Sequence, residues 1–153
     1  MFFNILGYIL KVGVSGKNKL ETMIGDHLQD ALIAANASNR TIRSVLAMIG
    51  EAGNCYEFSV QDSGIPFEVD TLVRLGTERI TTRADEGGNG IGFMKTFETM
   101  RECGASLIIT EKEPGSSFSK IVTIRFDGEN RYIIETYRPS DFPESDRYTV
   151  IGN

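Results

Sequence analysis

Hydrophobic and polar positions divide the chain into segments of different period. From Leu6 onward, Tyr8, Leu10, Val12 and Val14 fall at every second place, which predicts a strand over residues 2–14. Ser15-Gly16-Lys17-Asn18 predicts the turn that ends it. The period then lengthens. Leu20, Ile24, Leu28, Ala31, Leu32 and Ala35 recur at helical spacing, so residues 19–36 should form a helix with one buried face. Residues 41–49 and 56–60 are rich in β-branched, aliphatic and aromatic side chains, and Gly50-Glu51-Ala52-Gly53-Asn54 between them predicts a hairpin.

Residues 65–88 carry no sustained period beyond a short helical stretch over 69–75. A connection of this length inside one domain is usually a lid or a binding loop. A helix is expected over residues 91–103, with Ile91, Met94, Phe97 and Met100 at apolar spacing and Gly104 as its stop. Strand-like runs follow at 106–111, 118–126 and 132–137, turned by Pro114-Gly115 and Asp127-Gly128. Residues 139–153, with Pro139, Pro143 and several acids, read as a C-terminal surface extension of a domain over residues 1–138. The fold class this predicts is α+β: a two-layer sandwich of a mixed, mostly antiparallel sheet with helices on one face.

Composition narrows the classes of function. A length of 153 residues suits one domain, and 41% hydrophobic with 24% charged residues is globular. A net charge of −5 argues against nucleic acid, which asks for a basic stripe. Cys55 and Cys103 stand far apart and suggest neither a disulfide framework nor a metal cluster; they read as small buried hydrophobes in a reducing compartment. His27 is the single histidine, so a histidine-rich zinc site is excluded, and a Ser-His-Asp triad would need His27 as its base. The most apolar stretch, residues 2–14, is interrupted by Asn4, Gly7 and Lys11 and is too short to span a bilayer. A cytoplasmic location without direct membrane contact is the expectation.

Three local features can carry chemistry. Asp26 and Asp30 lie four apart on the first predicted helix and share one face. Two such carboxylates repel unless a cation sits between them, so the pair reads either as a solvated face or as ligands for magnesium. Asp62-Ser63-Gly64 closes a strand with a hydrogen-bond acceptor beside a residue that lets backbone approach a flat ring. Gly87-Gly88-Asn89-Gly90-Ile91-Gly92 leads into a helix and can turn amides toward an anion. It lacks the Gly-Lys-Ser/Thr ending of a P-loop.

In this order and at this spacing, the three resemble the ATP-binding domain of sensor histidine kinases, one branch of the Bergerat-fold ATPases of gyrase, heat-shock chaperones and mismatch-repair proteins. Gly25-Asp26-His27-Leu28-Gln29-Asp30-Ala31-Leu32 resembles the N box, Asp62-Ser63-Gly64-Ile65-Pro66-Phe67 the first glycine box, and Gly88-Asn89-Gly90-Ile91-Gly92-Phe93 the second. Gly115-Ser116-Ser117-Phe118 resembles the turn and strand near the end of that domain. The match runs from about residue 19 to 126.

The resemblance implies a histidine-kinase-like ATP-binding domain that binds ATP and Mg²⁺. It would supply the γ-phosphate to a histidine on a separate dimerisation domain of the parent kinase and, through it, to a response regulator. That acceptor module is not in the chain, which on this reading is a piece of a larger two-component protein, including the cytosolic part of a membrane-bound sensor. A free-standing anti-sigma-type serine kinase and an ATP-dependent interaction module without efficient phosphotransfer share the same implied fold.

Residue roles follow from the resemblance. Asp62 would accept the adenine amino group and Gly64 would let the ring lie close. Gly88, Asn89, Gly90, Ile91 and Gly92 would frame the phosphates. Asp30 would hold magnesium, with Asp26 supporting that face or acting as general base. Residues 65–87 would form a mobile ATP lid bringing Thr82 and Arg83 to the phosphates, and Ser117 would steady the Asp62 carboxylate. Two departures stand out. Asp26 and Asp30 replace the usual asparagines, which implies a strict metal requirement because bare carboxylates repel ATP. Pro66 replaces the second glycine of the first box and stiffens that turn.

Overall fold

The computed structural model describes residues 2–81 and 93–153, with side chains from residue 18 to 79 and from 93 onward. Its first element is a single long helix, α1 (Phe2–Ala37). The strand expected over residues 2–14 and the turn after it are corrected: both belong to this helix. The apolar run there fits two periods, because Leu6, Leu10 and Val14 are also four apart, and periodicity alone cannot separate them. Gly16 does not interrupt α1, since an isolated glycine costs a helix only about 1 kcal/mol.

Six strands form the sheet: β1 (Val45–Ala52), β2 (Cys55–Asp62), β3 (Ser106–Glu111), β4 (Lys120–Phe126), β5 (Tyr132–Thr136) and β6 (Thr149–Gly152). The first five overlap the expected runs, with β1 displaced toward the expected turn, and β6 was not expected. Helices α2 (Val69–Thr81) and α3 (Phe93–Cys103) lie between β2 and β3 in sequence. The sheet order is β1-β2-β4-β3-β5-β6. The first three pairings across it are antiparallel, while β3–β5 and β5–β6 are parallel. The protein is therefore α+β, with a mixed sheet and, among the described residues, three α-helices, in keeping with two layers.

Alternation along the strands builds one core. Phe58 and Val60 of β2, Val122 and Ile124 of β4, Leu107 and Ile109 of β3, and Ile134 of β5 share a sheet face. Met23 and Ala31 of α1, Leu72 and Leu75 of α2, and Phe93, Phe97 and Met100 of α3 close over it. Each fully buried side chain of this size contributes about 1.5–3 kcal/mol. The Tyr132 hydroxyl donates to the Leu72 carbonyl at 2.8 Å, tying α2 to β5, and burial pushes this phenol far above its ordinary pKa.

Two further expectations are corrected. The segment from residue 65 is not loose up to residue 81, because α2 buries Leu72 and Leu75 completely. Residues 139–153 are not a surface extension. Phe142 and Tyr148 are buried in the core, and β6 pairs with β5. Pro139 and Pro143 fall in the connection, outside the strand, where a missing N–H costs no ladder bond. Cys55 and Cys103 are free and half-buried, less enclosed than the sequence suggested.

Candidate functional site

Strand register concentrates charge at one end of the sheet. Asp62 closes β2 and faces Lys120, which opens β4; Lys120 in turn faces Glu111, which closes β3. All three are buried. Lys120 Nζ donates to Asp62 Oδ1 at 2.8 Å, and the Gly64 amide donates to the same oxygen at 2.8 Å. Arg138 continues the row. Its guanidinium donates to Glu111 at 2.6 Å, which raises its pKa, and Thr136 Oγ1 donates to the same carboxylate at 2.6 Å. Acid and base alternate along the row, so each buried charge has an opposite neighbour, as burial demands.

This row holds the turn after β2. Lys120 Nζ also donates to the Ile65 carbonyl at 2.5 Å and sits 5.1 Å from the centroid of the Phe67 ring. Arg138 donates to the Phe67 carbonyl at 3.0 Å. Ser119 Oγ lies 2.7 Å from the Gly64 carbonyl and 3.1 Å from that of Asp62, a shared donation to both.

Above the row lies a cavity of about 310 Å³, in the range of small-molecule sites. Its walls come from α1 (His27, Asp30, Ala31, Ala34), from β2 and β4 (Val60, Asp62, Lys120, Val122), and from Phe67, Thr71 and Phe93. The surroundings are largely apolar, with Asp62 and Lys120 at one side and Asp30 on the helix. Asp30 Oδ2 is buried and makes no hydrogen bond. Burial, and then the like charge of Asp26, push the Asp30 carboxyl up to about 6. A buried, unpartnered carboxylate oxygen beside a second acid suits a cation. Among the described residues no group of three or more His, Cys, Asp and Glu could hold one unaided.

His27 belongs to the same wall. Its Nε2 pairs with Thr96 Oγ1 at 2.6 Å, and its ring meets Phe93 edge-on at 5.0 Å. Burial holds its pKa down to about 4, so the ring is neutral near pH 7.

The expected site residues thus fall into three groups. Asp30 and Asp62 share the cavity. Asp26 is half-buried one helical turn away and is not part of its walls. Thr82, Arg83, Gly88, Asn89, Gly90, Ile91 and Gly92 lie outside the described residues.

One role is corrected. Ser117 is exposed and does not reach Asp62. Its carbonyl accepts from Arg40 at 3.0 Å, and the Asp62 carboxylate is held by Lys120 and the Gly64 amide instead. Gly64 is required by packing: a Cβ there would stand 2.4 Å from the Ala34 backbone carbon of α1. The close approach is sealed by the Ile65 amide, which donates to the Ala34 carbonyl at 3.2 Å.

Lys120 is the site residue that sequence reasoning missed. Its signal was a charge in phase with an apolar stripe, since Lys120, Val122 and Ile124 alternate onto the core face.

No protein-family model matches the chain, and no curated protein is similar to it in sequence. No helix of the described residues is long and apolar enough to cross a membrane.

Proposed function

We propose that this chain is a Mg-ATP-binding domain of the histidine-kinase-like, Bergerat type, presenting the γ-phosphate to a histidine on a separate dimerisation module. One observation carries the reading. Asp62 and Asp30, drawn from two motifs of the resemblance and far apart in the chain, line the same largely apolar cavity. A flat base fits an apolar slot with a few polar groups at its edge. The sheet order, with two parallel pairings beyond an antiparallel half, is compatible with that fold.

Asp62 would accept from the base. Apolar walls from α1, β2 and β4 would exclude water from its faces. Asp30, with an unpartnered oxygen, would hold magnesium, which when bound offsets the charge of the phosphates. Without that ion, Asp30 and the triphosphate repel each other.

Thermal shifts with ATP, ADP and GTP, each with and without magnesium, test the proposal. ATP with magnesium should raise the melting temperature in a concentration-dependent way, and Asp30→Asn should remove most of the magnesium dependence. No shift with any nucleotide refutes it. Asp62→Asn should weaken ATP binding by about 1.5–3 kcal/mol, read by calorimetry on folded protein. The variant also leaves Lys120 buried without its partner, so its fold must be checked first.

A second reading, an ATP-dependent interaction module without efficient transfer, draws on one observation. Asp26, the residue in the general-base slot, is not on the cavity wall, whereas a base must come within hydrogen-bond reach of its proton. ATP binding with no release of ADP over hours would favour it.

A further inference from the structure

We infer that Lys120 is a second reader of the nucleobase, donating to the ring nitrogen beside the exocyclic amine while Asp62 accepts from the amine itself. The inference rests on the nucleotide reading above and adds to it a residue and a rule of base choice. Lys120 is on the cavity wall, and its ammonium has three protons. Two are committed, to Asp62 Oδ1 at 2.8 Å and to the Ile65 carbonyl at 2.5 Å. The position of Nζ is fixed from three sides, by these acceptors and by the Phe67 ring at 5.1 Å. The third proton therefore belongs to a preset donor beside an acceptor, and a ligand need not order a flexible lysine to use it.

The pair also sets which edge is complementary. Asp62 Oδ1 already accepts from Gly64 and Lys120, so a base would meet Oδ2. One acceptor next to one donor matches adenine, whose amine donates and whose N1 accepts. Guanine presents an acceptor and then two donors in a row. With one carboxylate oxygen to receive them, its 2-amino group would be buried without an acceptor, which binding sites discriminate against strongly. A purely structural Lys120, serving only to neutralise Asp62 and hold the turn at Ile65, would not sense what the base carries at position 1.

Calorimetry of the full chain with magnesium and ATP, 1-deaza-ATP (a C–H in place of N1) or GTP separates these. The wild-type protein should bind 1-deaza-ATP and GTP each about tenfold or more weaker than ATP. In Lys120→Met the preference for ATP over 1-deaza-ATP should vanish, because the donor that reads N1 is gone. Equal binding of ATP and 1-deaza-ATP by the wild type overturns the role of Lys120 while leaving the nucleotide site standing. So does an N1 preference that persists in Lys120→Met, or GTP bound as tightly as ATP. Failure of the wild type to bind any of the three overturns the nucleotide reading and this inference with it. Should Lys120→Met not fold, Lys120→Gln takes its place, and equal binding of ATP and 1-deaza-ATP by the wild type overturns the inference without any variant.

Discussion

Gly64 shows how packing alone can demand a glycine. The space beside its Cα belongs to α1, where an added Cβ would fall 2.4 Å from a backbone carbon that has no rotamer by which to move away. Gly64→Ala is expected to cost about 1–3 kcal/mol or more, seen as a lower urea midpoint at unchanged slope. His27 makes a second prediction at this scale, in pH. Its folded pKa lies near 4 because of burial, against 6.5 when exposed. The unfolded chain therefore takes up a proton below pH 6.5 that the folded chain refuses until about pH 4. Stability present above pH 6.5 is lost as pH falls toward 4, by about 3 kcal/mol in total. Asp30, pushed up to about 6, acts in the opposite sense: it costs stability as pH rises from 3.8 to 6. Its partial exposure makes that contribution the smaller one. Urea titrations at pH 7 and pH 4.5 should show wild type losing clearly more stability than His27→Gln. Equal losses would mean the ring is not held neutral by the fold. Asp62 and Asp30 were legible beforehand because a carboxylate at a strand end or on a helix face stands out. Lys120 was not, since its meaning depends on facing Asp62 across a pairing that no local pattern states.

The elements differ in how much of their nature is local. Strands β3 and β5 announce themselves as short apolar runs between clear turn signals, and helix α3 by apolar residues at helical spacing. The start of α1 does not: a run of apolar residues satisfies two periods at once, and only the completed helix decides between them. α2 is the sharper lesson. Its apolar residues are sparse among charges, so only a short helical stretch over 69–75 within an expected lid is legible, yet the helix runs on to residue 81, Leu72 and Leu75 are fully buried and the Leu72 carbonyl accepts from Tyr132. Gly76 lets α2 approach Tyr148, whose ring atom would lie 2.9 Å from an added Cβ. An element held in this way belongs to the core. Leu72→Ala should lower stability by about 2–5 kcal/mol in urea denaturation, the range for a leucine removed from a packed interior. A freely moving lid helix would register almost no change.

On the scale of the whole molecule, the C-terminal residues decide whether the sheet is complete. β6 pairs with β5 in parallel and covers an edge that would otherwise leave the backbone of Ile133 and Ile134 open to other chains. Tyr148, just before it, packs edge-on against Tyr132 with ring centroids 6.2 Å apart, and its hydroxyl donates to the Pro143 carbonyl at 2.8 Å. Phe142 joins the same core. Arg79 of α2 extends the attachment by donating to the Arg147 carbonyl at 3.0 Å. The candidate site depends on this end of the fold at one remove, because Arg138, where the segment begins, binds both Glu111 and the Phe67 carbonyl on the rim of the cavity. Tyr148→Ala should therefore cost about 3 kcal/mol, comparable to other large aromatic truncations in cores. A chain ending at Arg138 should be destabilised, unfold with a shallower denaturant slope because less surface is exposed on unfolding, and self-associate through the uncovered β5 edge. Urea denaturation and light scattering on the two variants measure all three effects. If both variants match the full chain in midpoint and in light scattering, residues 139–153 contribute nothing to the fold, and their pairing with β5 is wrong.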